Sequence, residues 1–374
     1  MKSNKIDFII VTIFIFILFI PSISYFFLKP YINDDTTNTE NRELAKKPEF
    51  NIKTITEYPK NYEAYYNDNL PYRNKLITIW RDINFVAFKK SYDDRVVIGK
   101  DESKENWLFY DNLNDGDPLS YITAKRSYSD NELKSTLDEM NYQTEKLKSI
   151  GISLYYFIIP NKSTVYAKYL PKNITVKESS FNLMYNYLIS NNITNIYYPY
   201  DILCDKNNMF ETYYRTDTHW NKYGAYLVLN SKLRQIYGQD QILIPEISGE
   251  YTYSFNGDLK KFMGIDSKIK DNDVKVKYNN SDSIVENIEE NEFGKVEIYN
   301  NDKYLKDETI LIVGDSYTNN SVDYLSSVYK KTIRVYLNNT EYDPSFIEKY
   351  KPDKIFLIRV ERHSYEGLNL KFVE

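Results

Sequence analysis

Apolar residues follow two alternating patterns over most of the chain after residue 128. Apolar positions three and four residues apart, as in 129–151 and 222–237, predict amphipathic helices. Short apolar runs between such segments, including 152–160 (ISLYYFIIP) and 308–316 (ETILIVGDS), predict buried strands. Helices that alternate with short buried strands favour the α/β class. The pattern therefore predicts a three-layer α/β/α domain with a mainly parallel sheet.

Two further regions depart from this alternation. Helical spacing over 54–90, interrupted at Pro71, predicts two helices that follow a polar stalk. The stretch of about 245–307 is charged and rich in Asn, Asp and Gly, and it predicts an insertion with short strands placed against the site or a partner. The expected organisation is an N-terminal segment 1–30, a stalk and helical segment 31–95, and a main domain 96–374 that contains the insertion.

The N-terminal segment is the most apolar part of the chain. Residues 8–28 contain few polar side chains and can cross a hydrocarbon core of about 30 Å. Lys2 and Lys5 precede them, so the positive-inside rule places the remainder of the chain outside the cytoplasm. A cleaved signal peptide is the alternative, but the segment lacks an A-x-A-like site. We expect an uncleaved single-pass anchor in the cell membrane with an extracytoplasmic domain.

Composition narrows the classes of function. A formal net charge of -5, with 48 Lys and Arg against 53 Asp and Glu, gives no broad basic field for nucleic acid. The single cysteine, Cys204, excludes a disulfide within the chain, which for an extracytoplasmic domain favours a bacterial surface protein. The 38 tyrosines would suit stacking against sugars, although the coding bias of an AT-rich genome also explains their number.

A candidate nucleophile lies at the end of the strand predicted over 308–316. Gly314-Asp315-Ser316 ends this apolar run, and open parallel sheets carry their active sites at the carboxyl ends of strands. A serine on such a turn exposes its hydroxyl, and its backbone N–H lies where an oxyanion can be held. Gly-Asp-Ser is also a common turn, so the motif alone leaves a structural role open.

The segment 216–225 (TDTHWNKYGA) contains one of only two histidines. His219 can take the proton of Ser316, and Asp217 can orient the imidazole ring. A hydrogen-bonded core histidine is the competing interpretation. A metal site is disfavoured because one His and one Asp are too few ligands, and we expect no metal and no cofactor. The other histidine, His363, is interpreted as a surface or capping residue.

Seven segments occur in the same order as in the SGNH-hydrolase-like domain of the alginate O-acetyltransferase group and its DHHW relatives, which the chain resembles. They are NRELAKKPEF (41–50), YNDNLPYRNKL (66–76), IGKDESKENWLFY (98–110), IIPNKSTVY (158–166), TDTHWNKYGA (216–225), FNGDLKKFMGI (255–265) and GDSY (314–317). The resemblance implies an α/β/α SGNH-like fold and O-acetyltransferase activity. Thr218 departs from the DHHW proteins, which have a second histidine at this position.

The resemblance also implies a role for individual residues. Ser316 would be the nucleophile, His219 the general base and acid, and Asp217 the carboxylate that orients His219. The Ser316 N–H would help to hold the oxyanion. Further candidates for the oxyanion hole or for substrate binding are Tyr317, Asn319, Asn161, Lys162, Arg215 and Trp220.

The implied reaction transfers an acetyl group through an acyl-serine to a hydroxyl of an exopolysaccharide or cell-wall polymer. Coenzyme A is absent outside the cell, so the resemblance implies a partner, a membrane-bound O-acyltransferase, that supplies the acetyl group. Two alternatives stay open. One is a carbohydrate esterase that uses water as the acceptor, and the other is a non-catalytic polysaccharide-binding component of an export complex.

Overall fold

The fold is described from a computed structural model that covers residues 2–28, 43–70, 72–238, 245–265, 269–278, 284–291, 294–337 and 342–374. The chain divides into two compact units. The smaller contains residues 1–90 and 264–267, and the larger contains residues 91–263 and 268–374. Residues 31–42 of the predicted stalk and Pro71 lie outside the described residues. The predicted boundaries at residues 30 and 95 stay predictions.

The smaller unit is helical. Its helices are α1 (Lys2–Leu28), α2 (Tyr58–Asp68) and α3 (Arg73–Phe88). The last two confirm the pair of helices predicted over 54–90. Within the described part of the chain, no helix meets the length and apolar character needed to span a membrane. The structure therefore does not support the transmembrane helix predicted in the segment 1–30.

The larger unit alternates strands and helices, as predicted. Its strands are β1 (Val96–Lys100), β2 (Asn106–Tyr110), β3 (Ser153–Ile159), β4 (Ile196–Tyr197), β5 (Glu246–Thr252), β6 (Asp271–Lys277), β7 (Ile284–Asn291), β8 (Gly294–Asn300), β9 (Lys306–Gly314), β10 (Tyr329–Leu337) and β11 (Lys354–Val360). Its helices are α4 (Asp130–Ser149), α5 (Lys162–Val165), α6 (Phe181–Ser190), α7 (Tyr200–Leu203), α8 (Lys222–Tyr237), α9 (Asp258–Met263), α10 (Val322–Val328), α11 (Ser345–Tyr350) and α12 (Ser364–Leu368).

A seven-stranded sheet in the order β4-β3-β11-β9-β10-β8-β7 forms the centre of this unit. The first five strands are parallel, whereas β8 and β7 continue the sheet in antiparallel fashion. Successive strand residues point to opposite faces. One face of the sheet packs on α4, α6 and α11, and the other packs on α8 and α10. The predicted mainly parallel sheet between two helical layers is therefore confirmed.

The charged stretch predicted as an insertion contributes to two different sheets. β5 and β6 form a separate antiparallel hairpin, whereas β8 pairs with β10 and so extends the central sheet. Val296 of β8 is almost fully buried and Ile298 packs against the same core, so β8 contributes apolar side chains to the central sheet. The expected short strands exist, but part of the stretch belongs to the main domain's core. Residues 266–268, 279–283 and 292–293 lie outside the described residues.

The functional edge of the sheet is set by three parallel strands that end together. Ile159 of β3 pairs with Val360 of β11, and Gly314 of β9 pairs with Ile358 of β11. A Cβ atom on Gly314 would lie 2.0 Å from the Ile358 carbonyl oxygen, so only glycine allows β9 and β11 to come this close. The segments that follow these three strands consequently meet at one edge.

Candidate active site

Ser316 lies two residues after the end of β9, as the first residue of a 3-10 helix, Ser316–Asn320. Its Oγ lies 2.7 Å from His219 Nε2, and His219 Nδ1 lies 2.6 Å from Asp217 Oδ1. Residues 97 positions apart in the chain thus form a continuous hydrogen-bonded series. Because an ionised Asp217 favours a proton on Nδ1, Nε2 is left to accept the proton of Ser316. This is the geometry of a serine-histidine-aspartate triad.

Burial and charge act in opposite directions on this histidine-aspartate pair. Burial by itself raises the pKa of Asp217, but the hydrogen bond and the charge of His219 outweigh it and keep that pKa below its usual range. Burial disfavours the imidazolium, yet the hydrogen bond and charge of Asp217, together with the charge of Asp258, raise the pKa of His219. An ionised Asp217 in this position can stabilise an imidazolium on His219.

The motif around His219 forms a tight loop before α8. Tyr213 and Trp220 pair across the loop as an antiparallel bridge. The Asn221 side chain accepts a hydrogen bond from the Gly224 N–H at 2.9 Å and so caps the N-terminus of α8. A Cβ atom on Gly224 would lie 2.4 Å from the Thr212 carbonyl oxygen. The glycine of the motif therefore lets α8 approach the segment that leads into the loop.

Lys162 binds the backbone of this loop. Its buried Nζ donates to the carbonyl oxygens of Tyr214 (3.1 Å), Arg215 (3.4 Å) and Asp217 (2.5 Å). Burial lowers the pKa of Lys162 to about 8. We expected this side chain as a candidate for the oxyanion hole or the substrate. The structure instead uses its three donors to fix the segment that carries Asp217.

A carboxylate that sequence reasoning missed, Asp258, completes the environment of His219. Asp258 Oδ1 accepts the Thr218 N–H at 2.8 Å, and the Thr218 hydroxyl donates to the other carboxylate oxygen. The Asp258 N–H donates to Asp217 Oδ2 at 2.9 Å, and Asp258 Oδ2 lies 3.7 Å from His219 Nδ1. Burial and the charge of Asp217 raise the pKa of Asp258. In the sequence, only the position of Asp258 within the matching segment FNGDLKKFMGI (255–265) pointed to this residue.

Gly257 of the FNGDLKKFMGI segment allows Asp258 to approach the loop that carries Asp217. A Cβ atom on Gly257 would lie 2.2 Å from the Thr216 carbonyl oxygen. A second carboxylate of the stretch 245–307, Asp271, accepts the N–H groups of Arg215 (2.8 Å) and Thr216 (2.9 Å) and the Thr216 hydroxyl (2.7 Å). The stretch 245–307 thus contacts the loop that carries Asp217 through both Asp258 and Asp271.

Asp217, His219 and Asp258 are also close enough to share a cation, since one ligand atom from each lies within 4.8 Å of the others. These atoms already have partners in the protein. The Asp217 oxygens accept from the N–H groups of His219 and Asp258, and the Asp258 oxygens accept from Thr218. We interpret the cluster as the hydrogen-bonded support of the imidazole.

Tyr317 and Trp220, two further candidates, are fully buried beside His219. The Tyr317 hydroxyl donates to the Thr218 carbonyl oxygen at 2.8 Å, and its N–H donates to Asp315 Oδ1 at 2.9 Å. Trp220 Nε1 donates to the Tyr317 carbonyl oxygen at 2.9 Å. These rings therefore join the two motifs and pack beside the imidazole, and the polar groups named here bond within the protein.

Asn319 and Arg215 also bond within the protein. The exposed Asn319 accepts a hydrogen bond from Arg334 through its amide oxygen. The buried Arg215 guanidinium pairs with Glu211 at 2.5 Å and with Asp101 at 3.0 Å. Hydrogen bonding and charge from Glu211 raise the pKa of Arg215 despite its burial. Arg215 thus anchors the loop at a position two residues before Asp217.

Asn161 differs from the other candidates because its amide is unused. Its backbone N–H donates to Glu361 Oε2 at 2.7 Å, but among the described residues neither its Oδ1 nor its Nδ2 has a hydrogen-bond partner, although the side chain is buried. It lines a small cavity with Thr218, Tyr317 and Arg362. Buried amides without partners are uncommon, so this group is available to a ligand atom or to water.

A cleft of about 560 Å³ opens at Ser316 and is lined by Asp115, Arg359, Arg362, His363 and Glu366 among others. His363 Nε2 lies 2.8 Å from Asp115 Oδ1, and His363 Nδ1 lies 3.9 Å from Asp315 Oδ2. His363 therefore lines the cleft wall with its side chain partly exposed, and it also occupies the N-cap position of α12. No local pattern indicated this position, because the contacts join segments far apart in the chain.

The carboxylate beside Ser316 is held in its ionised form. Burial of Asp315 opposes ionisation, but the nearby His363 imidazole and the charge of Arg359 outweigh it and lower the pKa of Asp315 below its usual range. Asp315 also accepts the Val360 N–H at 3.0 Å. The residue before Ser316 therefore links the turn after β9 to the end of β11.

The central sheet and the triad geometry define the class of this protein as SGNH-hydrolase-like. Residues 96–346, more than half of the chain, match the sequence profile of the family described as "ALGX: SGNH hydrolase-like domain, acetyltransferase AlgX". The chain therefore belongs to this acetyltransferase family. The search of curated proteins found no match.

Two solved structures have a similar fold. Bacillus cereus PatB1 is 15% identical with a TM-score of 0.51, and the match covers 72% of this chain and 97% of PatB1. A DHHW family protein from Eubacterium siraeum is 16% identical with a TM-score of 0.50, and the match covers 75% of this chain and 97% of that protein. At these identities the likeness shows the fold.

The pH dependence of acyl transfer tests the electrostatic role of Asp258. His219 accepts the serine proton only when neutral, and its pKa is raised, so we expect activity to fall as the pH drops through that raised pKa. Asp258→Asn removes a neighbouring negative charge and should move this acid limb to lower pH. The readout is the pH profile of kcat/KM for an ester substrate.

Asp307→Asn, which neutralises an exposed carboxylate paired with Lys330, is the matched control and should leave the limb in place. An unchanged limb in Asp258→Asn, with the fold retained by circular dichroism, would exclude the electrostatic role of Asp258.

Proposed function

We propose that this O-acetyltransferase acts outside the cytoplasm and transfers acetyl groups to hydroxyls of an exopolysaccharide or cell-wall polymer through an acetyl-Ser316 intermediate. Membership of the family supports the acetyltransferase class. The observation that carries the mechanism is the hydrogen bond of 2.7 Å between Ser316 Oγ and His219 Nε2, with Asp217 on the opposite ring nitrogen. A metal has no role in this sequence of steps.

The first half-reaction forms the acyl-enzyme. Ser316 Oγ attacks the acetyl carbonyl carbon of the donor while His219 Nε2 takes the serine proton. The Ser316 N–H has no intrahelical partner, because it is the first N–H of its 3-10 helix, and it can bind the oxyanion. The amide of Asn161 is the second candidate donor. The tetrahedral intermediate collapses as the leaving group receives the proton from His219.

The second half-reaction transfers the acetyl group to the acceptor. A polymer hydroxyl in the cleft at Ser316 gives its proton to His219 as its oxygen attacks the acetyl carbon. Collapse of the second tetrahedral intermediate breaks the bond to Ser316 Oγ, which recovers the proton from His219. If water takes the place of the polymer hydroxyl, the same residues perform ester hydrolysis, so the competition between the two acceptors decides the class of reaction.

The acetyl donor and the location of the enzyme form a separate part of the proposal. We propose that a membrane-bound O-acyltransferase supplies acetyl groups across the membrane and that the enzyme stays at the cell surface. Deletion of that acyltransferase in the native cell should abolish polymer O-acetylation, and the enzyme should sediment with the membrane fraction. Polymer acetylation that persists without the partner, or an enzyme found only in the cytosolic fraction, would contradict this part.

Acetyl transfer by the purified full chain tests the function. With p-nitrophenyl acetate as donor and cello-oligosaccharides or chito-oligosaccharides as acceptors, we expect O-acetylated oligosaccharide to exceed free acetate. Ser316→Ala and His219→Ala should each lower transfer by about 10³-fold or more, since the members of a triad act as a unit. Ser190→Ala, an exposed serine at the end of α6, is the control and should leave transfer unchanged.

Acetate release without transfer would support the esterase instead. Transfer that survives both Ser316→Ala and His219→Ala would contradict the triad.

A further inference from the structure

A second cleft of about 610 Å³ shares no lining residue with the cleft at Ser316. The segment after α5, the segment after α7 and the β5–β6 hairpin form its walls. Residues that matter for its chemistry are Lys168, Tyr169, Phe210, Glu211, Tyr251 and Asn272. None of them has a part in the proposed acyl transfer.

Aromatic rings line this cleft and are reachable from solvent. Tyr251 is 50% exposed, and its ring lies 5.3 Å from the buried Arg215 guanidinium and 5.1 Å from Lys270 Nζ. Phe210 is partly buried, and a Cβ atom on Gly249 would lie 2.6 Å from its ring. The absence of a side chain at Gly249 therefore leaves room for Phe210. Tyrosine and phenylalanine rings in a cleft provide flat apolar faces of the kind on which sugar rings stack.

A buried amide supplies a polar contact beside these rings. Asn272 lies directly opposite Tyr251 in the register of the β5–β6 hairpin, and paired residues of antiparallel strands share one face. Asn272 is only 3% exposed, and its Oδ1 has no hydrogen-bond partner among the described residues. An unpartnered buried acceptor is uncommon, and a sugar hydroxyl would satisfy it.

The charges of the cleft nearly cancel. Three carboxylates (Glu102, Asp205 and Glu211) and two ammonium groups (Lys168 and Lys206) line it. Lys168 Nζ already lies 3.4 Å from Glu102 Oε1. A site for a polyanion would present an excess of positive charge, which this lining lacks. The charge balance therefore favours an uncharged saccharide.

We propose that this cleft is a binding site for an uncharged oligosaccharide segment of the acceptor polymer, an inference that rests on the proposed function. The cleft also lies within reach of the triad. Glu211 lines it, and His219, eight residues later in the chain, contacts Ser316. Eight residues span at most about 29 Å when fully extended. One polymer chain can therefore occupy both clefts, so that the second cleft retains the acceptor while Ser316 modifies another part of it.

Affinity gel electrophoresis of the purified full chain tests the site. The gels contain hydroxyethyl cellulose, glucomannan or laminarin as uncharged polysaccharides, and polygalacturonate as the polyanion. We expect at least one uncharged polymer to retard the protein. Tyr251→Ala should raise the apparent Kd for that polymer by about 3- to 10-fold through loss of the stacking ring. Tyr251→Phe keeps the ring and should retain binding.

Tyr253→Ala is the matched control. Tyr253 lies two residues further along, is 51% exposed and does not line the cleft, so its removal should leave retardation unchanged. Equal loss in Tyr251→Ala and Tyr253→Ala, retardation by polygalacturonate alone, or retardation by none of the polymers would overturn the proposal.

Ser316→Ala separates this inference from the proposed function. This variant should bind the polymer as the unaltered chain does. If the unaltered chain binds the polymer through Tyr251 but transfers no acetyl groups, the binding site stands and the proposed function fails. If the unaltered chain transfers acetyl groups but Tyr251→Ala leaves its polymer binding unchanged, the function stands and the binding site fails.

Discussion

The position of the His219 imidazole is the constraint on which the site depends. The ring must reach Ser316 on one side and Asp217 on the other, and its two hydrogen bonds of 2.7 and 2.6 Å connect segments 97 residues apart. The same two segments are joined again nearby, since Trp220 Nε1 donates to the Tyr317 carbonyl oxygen and the Tyr317 hydroxyl donates to the Thr218 carbonyl oxygen. A base held by several contacts on both segments loses little conformational freedom during proton transfer.

The loop that carries Asp217 has little regular structure of its own, so buried charged groups fix it. Lys162 binds its carbonyl oxygens, whereas Asp271 and Asp258 bind its N–H groups. Both carboxylates come from the charged stretch that is inserted before β9. Thr218, which stands where DHHW proteins have a second histidine, contributes to this support because its hydroxyl donates to Asp258. The inserted stretch is thus a structural part of the active site.

Patterns within short stretches of sequence predicted the helices and strands and the position of the candidate serine. The alternation of short apolar runs with amphipathic segments was enough for the three-layer α/β unit, and the strand before Gly314-Asp315-Ser316 placed the candidate serine at the carboxyl edge of the sheet. Motif order then paired Ser316 with His219. The hydropathy of residues 8–28 predicted a membrane anchor, which the helices of the described residues do not support.

The rest depends on contacts between distant segments, for which a single sequence carries no periodic signal. Asp258 looked like one more charge in a polar insertion, yet it contacts Thr218 and lies 3.7 Å from His219. Lys162 and Trp220 had residue types suited to substrate binding, but burial directed their polar atoms to the backbone. The sequence around His363 did not indicate its partner, Asp115, which lies 248 residues away.

The most direct test of the central claim is the mass of the peptide that contains Ser316 after brief exposure of the full chain to p-nitrophenyl acetate and acid quenching. A covalent mechanism through Ser316 predicts one added acetyl group, located on Ser316 by fragmentation, that disappears when an oligosaccharide acceptor is supplied. Acetylation of another residue only, or acetyl transfer that proceeds with Ser316 never acetylated, would contradict the account.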